Sequence, residues 1–299
     1  MQIGLMIYKV QVWENYRHLE LGRQPDQFDL YSNLATIFDH YERNPYETPE
    51  RRIRFTQEPP RALDYPFQSG FISYSSRGLA SQFEHALTGE QIFERNREDW
   101  ESIPIYFALY CPDGSNAAYV AVQSFGNRSC VSLFCTGILD FFRDRWVERN
   151  ITFEKVLALD QNVMANRAVK NIRLVQRFAE PGMLQPQVGV ADQPLRVELS
   201  ISPEGRGNFG RLIDVINRFE DQPQHALLVG GMQFDQVDAT IRIGDKYRRV
   251  GVVGMADRAG NVDISDDVER DEQTLYPLFL SIDALARELL VNYGQEFGL

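Results

Sequence analysis

Four basic residues lie close together around Tyr247: Arg242, Lys246, Arg248 and Arg249. Cations beside an aromatic ring are suited to hold phosphates and bases, so this cluster is the candidate nucleic-acid-binding site. Two other interpretations stay open. The cations form a solvated face of a hairpin, or they pair with the acidic segment that follows, residues 257–272. That segment carries seven acids against two arginines, and we predict that the two segments pair with each other.

A glycine-rich motif from Gly205 to Gly210 spells GxGxxG between a predicted strand and a predicted helix. This is the context of a dinucleotide-binding turn. Pro203 and Glu204 separate the motif from the strand, however, and a carboxylate there repels a pyrophosphate. The chain also lacks the repeated βαβ units of a Rossmann sheet. We predict that the turn is a connector that binds no nucleotide, and we predict no cofactor.

No spacing in the chain predicts catalytic residues. A metal-dependent nuclease uses a D/E-x-K triplet, whereas Asp245 and Lys246 are adjacent and would point to opposite faces of a strand. No spacing supports Glu198 and Asp235 as its carboxylates either. The histidines stand far apart with no cysteine nearby, and they predict no metal site: His18, His40, His85 and His225. A triad assembled in space by the fold stays open.

Residues 102–146 contain the elements around which the chain is organised. Two β-rich runs flank the turn Pro112-Asp113-Gly114, which predicts a hairpin. We predict that Ile105, Phe107 and Leu109 face the core and alternate with Tyr106 and Tyr110. From Val131 onward, apolar residues recur at helical spacing up to Trp146, which predicts an amphipathic helix.

The other elements follow the same two patterns. We predict a helix over residues 25–43, a strand, turn and helix over 195–219 with Asn208 as the helix cap, a hairpin over 238–253 with a Gly-Asp turn, and a C-terminal helix. The predicted fold class is α+β, with antiparallel β-hairpins and sheets covered by amphipathic helices. A loop-like stretch near residue 181 predicts two subdomains, 1–180 and 181–299.

Composition predicts a soluble protein of the cytoplasm. The formal net charge of −11 gives no long-range attraction for phosphate backbones. The cysteines are odd in number and not paired in spacing: Cys111, Cys130 and Cys135. The chain starts with strand-like residues rather than a signal peptide, and no apolar run approaches the about 20 residues of a membrane span.

Two stretches of the chain resemble a protein family. The first consists of residues 103–107, the turn at Pro112 and residues 120–126. The second consists of residues 240–253, 262–265 and 277–290. Together they resemble uncharacterised bacterial proteins encoded in anti-phage defence islands and mobile elements. The resemblance implies a bacterial cytoplasmic protein with a place in anti-phage defence, and it carries no active site.

These observations predict a non-catalytic binding or sensing component of a bacterial anti-phage defence system. We expect it to act through protein contacts and self-association, as a homo-oligomer with a partner protein from the same locus and no membrane span. The alternative is a nuclease effector that holds nucleic acid with Arg242, Lys246, Arg248 and Arg249.

Overall fold

A computed structural model of the chain describes residues 2–56, 61–78, 80–126, 128–156, 166–179, 195–205, 207–220, 228–229, 232–234, 236–253 and 260–296. In these residues the fold mixes four helices with a large antiparallel sheet. The helices are α1 (Leu30–Arg43), α2 (Val131–Arg145), α3 (Leu212–Glu220) and α4 (Phe279–Glu296). No helix of the described ranges is long and apolar enough to cross a membrane.

The strands are numbered in chain order. They are β1 (Ile3–Glu14), β2 (Arg17–His18), β3 (Tyr46–Glu47), β4 (Arg51–Phe55), β5 (Ala62–Asp64), β6 (Phe67–Ser76), β7 (Ser81–Glu84), β8 (Gln91–Arg95), β9 (Glu101–Tyr110), β10 (Ala118–Phe125), β11 (Arg128–Ser129), β12 (Arg149–Lys155), β13 (Asn171–Ala179), β14 (Leu195–Ile201), β15 (Leu228–Val229), β16 (Met232–Gln233), β17 (Gln236–Ile243), β18 (Lys246–Val253) and β19 (Asn261–Asp263).

The chain divides into two compact units, each assembled from separate segments. The first unit consists of Met1–Ile7, Lys155–Asp267 and Asn292–Gly298, and the second consists mainly of Tyr8–Glu154 and Val268–Val291. The predicted boundary near residue 181 lies outside the described residues.

The sheet of the second unit contains the predicted central hairpin. Its strands run in the order β10, β9, β6, β4, β3. The pairing of β9 with β10 sets Leu109 opposite Val120 and Phe107 opposite Val122, which confirms the hairpin. Gly114 has a φ of +69° in the connection, a conformation that glycine adopts without strain.

Phe107 lies at the centre of the second unit's core. Its ring centroid is 5.1 Å from those of Phe38 on α1 and Phe55 on β4, and 6.3 Å from that of Phe134 on α2. Ile105, Phe107 and Leu109 are all fully buried, which confirms their prediction as core residues.

The predicted alternation on β9 is incomplete, because Tyr106 is fully buried as well. Phe279 and Asp283 of α4 lie on that side of the sheet. The Tyr106 ring centroid is 6.1 Å from that of Phe279, and its hydroxyl donates to Asp283 Oδ1 at 2.7 Å. Local alternation could not predict this burial, because α4 is far away in sequence.

Helices α1 and α2 confirm two further predictions. The periodic pattern placed the first helix over residues 25–43, and α1 occupies its later part. It begins at Leu30 because Asp29 caps it, with Asp29 Oδ1 accepting from the Ser32 backbone N–H at 2.9 Å. Helix α2 begins at Val131, as predicted, and ends one residue before Trp146.

The sheet of the first unit contains the second predicted hairpin. Its strands run in the order β14, β13, β17, β18, β19, β1. Strands β17 and β18 pair from Ile243 opposite Lys246, and the intervening Gly244 has a φ of +57°, which confirms the Gly-Asp turn. The cap assigned to Asn208 is wrong. Helix α3 begins at Leu212, and Asn208 Oδ1 accepts from the Gly210 N–H instead.

Candidate functional site

The four basic residues of the predicted nucleic-acid site do not share one face of β17 and β18. Successive residues of a strand point to opposite sides, so Arg248 and Arg249 diverge. The Arg248 side chain is 1% exposed, whereas that of Arg249 is 33% exposed. Arg242 and Lys246 lie at the turn and are exposed. Arg242 Nη2 is 3.2 Å from Asp245 Oδ1.

The predicted pairing between the basic hairpin and the acidic segment is confirmed within one chain. Arg248 Nη1 lies 2.8 Å from Asp267 Oδ2, and Arg249 Nη1 lies 2.8 Å from Asp263 Oδ2. With the pair of Arg242 and Asp245, carboxylates therefore contact at least three of the four cations. Nucleic-acid binding by Arg242, Lys246, Arg248 and Arg249 stays a prediction.

One face of the first unit's sheet carries a ladder of charges. Strand pairing sets Arg173 opposite Asp238, and Arg249 opposite Asp263. Arg173 Nε also donates to Glu198 Oε2 at 3.0 Å. Alternating charges on neighbouring strands stabilise the sheet through cross-strand pairs, which is a structural role.

Asp238 is the buried member of this ladder. Its Oδ1 accepts from Gln236 Nε2 at 2.6 Å, and its Oδ2 is 3.9 Å from Arg173 Nη1. Burial raises the pKa of the Asp238 carboxyl above its ordinary value, and it outweighs the lowering effect of Gln236 and Arg173. The adjoining cavity of about 10 Å³ is about the size of one water molecule and cannot admit a substrate.

A larger cavity of about 440 Å³ lies beside the start of α2. Its lining includes Glu50 and Arg51 from the β3–β4 side and Ser132 and Thr136 from α2. The volume suits a small molecule. Its two charged side chains have opposite signs, so the lining does not select an anion over a cation.

The glycine-rich turn precedes α3. Asp214 lies in the first turn of this helix. Its carboxylate accepts hydrogen bonds from Arg211 Nε at 2.9 Å and Arg211 Nη2 at 2.8 Å. Gly205 and Gly210 have positive φ angles, which is a conformational reason for glycine at both positions. That the turn binds no nucleotide stays a prediction.

The three cysteines lie in surroundings that make their thiols unreactive. Burial raises the pKa of Cys111 and of Cys135 to about 12, and it raises the pKa of Cys130 as well. Thiols of this kind stay protonated near neutral pH. In the described ranges, no group of three or more His, Cys, Asp or Glu residues could hold a metal ion.

A hairpin that the sequence analysis did not single out is the most unusual surface of the second unit. Strands β7 and β8 form a two-stranded sheet of their own, here called the arm (residues 81–95). Its large apolar side chains are unusually exposed: Phe83 48%, Leu87 91%, Ile92 65% and Phe93 55%. The signal available in the sequence was weak, since Phe83 on one side of Thr88-Gly89 and Ile92-Phe93 on the other are the only β-forming residues of the two short runs 81–84 and 91–95.

The arm has an ordered loop. His85 Nδ1 accepts from the backbone N–H groups of Leu87 and Thr88, both at 3.3 Å, and Gly89 has a φ of +69°. Phe83 lies opposite Phe93, and their ring centroids are 5.9 Å apart. The apolar groups are therefore presented on a defined hairpin.

No family model matches this chain, and no curated protein matches it significantly.

Proposed function

We propose that this chain is a non-catalytic binding protein that acts through protein contacts and self-association, with the arm as its contact element. The supporting observation is the exposure of Phe83, Leu87, Ile92 and Phe93 on one hairpin. Burying a large apolar side chain stabilises a protein or complex by about 1.5–3 kcal/mol. A cluster of such side chains at the surface is typical of interaction sites.

The strand edges of the arm support the same proposal. Only β7 and β8 make up its sheet in the described residues, so each strand has an outer edge with no neighbouring strand. A two-stranded hairpin is marginally stable in water, and a third or fourth strand adds the missing hydrogen bonds. Side chains of an added strand would also lie beside those of the arm on the same face and reduce their exposure.

We assign this place to the arm of a second copy, paired antiparallel through β7. A two-fold axis at Phe83 sets Phe83 opposite its own copy, Gln82 opposite Glu84, and Ser81 opposite His85. No like charges face each other in this register, so β7 is self-complementary. The same operation on β8 about Phe93 would set Ile92 opposite Glu94, which is a poorer match.

Sedimentation velocity over about 1 to 100 µM protein tests the proposal. The wild type should form a dimer. Phe83→Ser should weaken dimerisation about a hundredfold or more, because the dimer loses two side chains, each contributing about 1.5 kcal/mol or more. The control is Val147→Ser, since Val147 is 90% exposed on the same unit but outside the arm. A monomeric wild type, or equal effects of both substitutions, would refute the proposal.

A cysteine placed on the proposed axis gives a second, independent readout. Phe83→Cys should form an intermolecular disulfide under mild oxidation, because the two copies of residue 83 would lie opposite each other. The native thiols are buried or half-buried, so they contribute little background. Val147→Cys is the matched control and should stay uncrosslinked.

The biological setting in this proposal rests on the resemblance of the two stretches alone. We propose that the protein acts in the bacterial cytoplasm, as a component of an anti-phage defence locus that also encodes its partner protein. The genes beside its own test this setting, and a neighbourhood of unrelated housekeeping genes would argue against it. For the architecture we retain the two subdomains, and we retain helix-covered sheets, which the contacts of Phe38 and Phe134 with Phe107 support.

A further inference from the structure

Two arginines from separate segments of the second unit converge on one tryptophan. The guanidinium carbon of Arg52 on β4 lies 4.5 Å from the Trp100 ring centroid, and that of Arg77, just after β6, lies 4.6 Å from it. Both distances are within the range of cation–π contacts. With Arg54, two residues beyond Arg52 on β4, these residues are here called the arginine cluster.

The cluster lies on one face of β4, β6 and β9. Ser75 of β6 pairs with Arg52 of β4 on one side and with Ser102 of β9 on the other. Ser73 of β6 pairs with Arg54 of β4. Arg52 and Arg54 thus point to the same side of the strand, about 6.6 Å apart. Arg54, Arg77 and Ser102 are exposed, and Arg52 and Trp100 are half-buried, so the face is open to solvent.

Both stacked guanidinium groups are held in place through Nε. Arg52 Nε donates to Ser75 Oγ at 3.4 Å, and Arg77 Nε donates to the Pro49 carbonyl at 2.7 Å. Within the described part of the chain, their terminal nitrogens Nη1 and Nη2 have no hydrogen-bond acceptor. A guanidinium that is already oriented presents a two-donor edge to an oxyanion and loses little entropy on binding.

The nearby acids do not neutralise the cluster. Glu101 follows Trp100 but belongs to the opposite face, where its carboxylate contacts Arg95 Nη1 at 2.6 Å and Arg128 Nη1 at 2.5 Å. Arg128 first, and then Arg95, hold the pKa of Glu101 below its ordinary value against the effect of burial. Asp99 Oδ2 accepts from the Asn96 N–H. In the described residues, none of Glu50, Glu98 and Asp99 forms an ion pair with an arginine of the cluster. The face therefore carries local positive charge on a chain of net charge −11.

We infer that the arginine cluster binds the phosphate backbone of single-stranded nucleic acid. Three cations spread along an open sheet face match a row of phosphates better than a single phosphate group. Beside them, the exposed Ser102 carries a further hydroxyl that can contact a phosphate oxygen. This inference is independent of the arm and also of the basic hairpin at residues 242–249.

Fluorescence anisotropy of a labelled oligothymidine with the full chain tests the inference. The wild type should bind, with a log–log salt slope near −2, since about three phosphate contacts on a single strand each contribute about −0.7. Arg52→Gln with Arg77→Gln should weaken binding at least about tenfold. The matched control, Arg17→Gln with Arg143→Gln, removes the same charge from two exposed positions of the same unit outside the cluster and should change the affinity less than about twofold.

Two further measurements separate the specific site from general charge. Trp100→Leu keeps every arginine but removes the ring that orients them, so it should weaken binding severalfold at an unchanged salt slope. A duplex of the same length and ATP should both bind more weakly than the oligothymidine. Absence of binding by the wild type, equal loss in the two double variants, or equal affinity for duplex or ATP would overturn the inference. Circular dichroism must show that each variant is folded.

Discussion

The ion pair between Arg248 and Asp267 is asymmetric, and this predicts which member matters more for stability. The Arg248 side chain is 1% exposed and that of Asp267 is 38% exposed. Removing Asp267 takes away the carboxylate that lies 2.8 Å from a buried guanidinium. Removing Arg248 leaves a carboxylate that water already reaches. The first change should therefore be the more harmful one.

The expected changes in the free energy of unfolding follow from the same exposures. Asp267→Asn should lower the free energy of unfolding by about 2–3 kcal/mol, somewhat less than for a fully buried pair because solvent reaches Asp267. Arg248→Met keeps an apolar stem of similar length and should cost about 0–1 kcal/mol. The double variant should match Arg248→Met within about 0.5 kcal/mol, because the guanidinium that Asp267 contacts is absent from both variants.

Urea denaturation followed by far-ultraviolet circular dichroism measures these differences. The control is Asp266→Asn, an exposed neighbour of Asp267, which should change the free energy by no more than about 0.5 kcal/mol. If Arg248→Met costs more than Asp267→Asn, the asymmetry argument is refuted, since Arg248 would then act through contacts other than its carboxylate.

Two further predictions concern the cores of the units. Phe107→Ala should lower the free energy of unfolding by about 3–5 kcal/mol because the ring is fully buried; a loss below about 1 kcal/mol would contradict the assigned packing. Asp238→Asn keeps an oxygen that accepts from Gln236 but removes the ionisable carboxyl group. Burial raises the folded-state pKa above 3.8, so the stability contributed by protonated Asp238 is present below pH 3.8 and is lost as the pH rises through the folded pKa. In thermal unfolding, the melting temperature of Asp238→Asn relative to that of the wild type should rise with increasing pH. A relative fall would contradict this.

Local patterns predicted much of the secondary structure because their causes are local. Pro112, Asp113 and Gly114 form a connection between two β-rich runs, and the 3.6-residue periodicity after Val131 allows a single helical face to be buried. The Gly244-Asp245 turn was predicted for the same reason. Helix ends were less certain, since the periodic pattern over residues 25–43 could not distinguish Asp29 as the cap from the positions before it.

The candidate sites were predicted only in part. Opposite charge close in sequence was enough to predict that the basic hairpin pairs with the acidic segment. It could not predict that Asp267 and Asp263 pair with Arg248 and Arg249, because the strand register decides which carboxylate reaches which arginine. The arm was missed, since its two short strands carry few β-forming residues and do not reveal whether a third strand lies beside them.

The sequence by itself determined the α+β class, the two hairpins, the helices and the charge pairing, because turn chemistry, periodicity and charge act between neighbouring residues. Only the tertiary structure decided that Tyr106 is buried and that Arg52, Arg77 and Trp100 form one cluster. Both depend on segments far apart in the chain: α4 lies against Tyr106, and the pairing of β4, β6 and β9 brings the arginines to the tryptophan. Such contacts exist only once a specific strand order and register have formed.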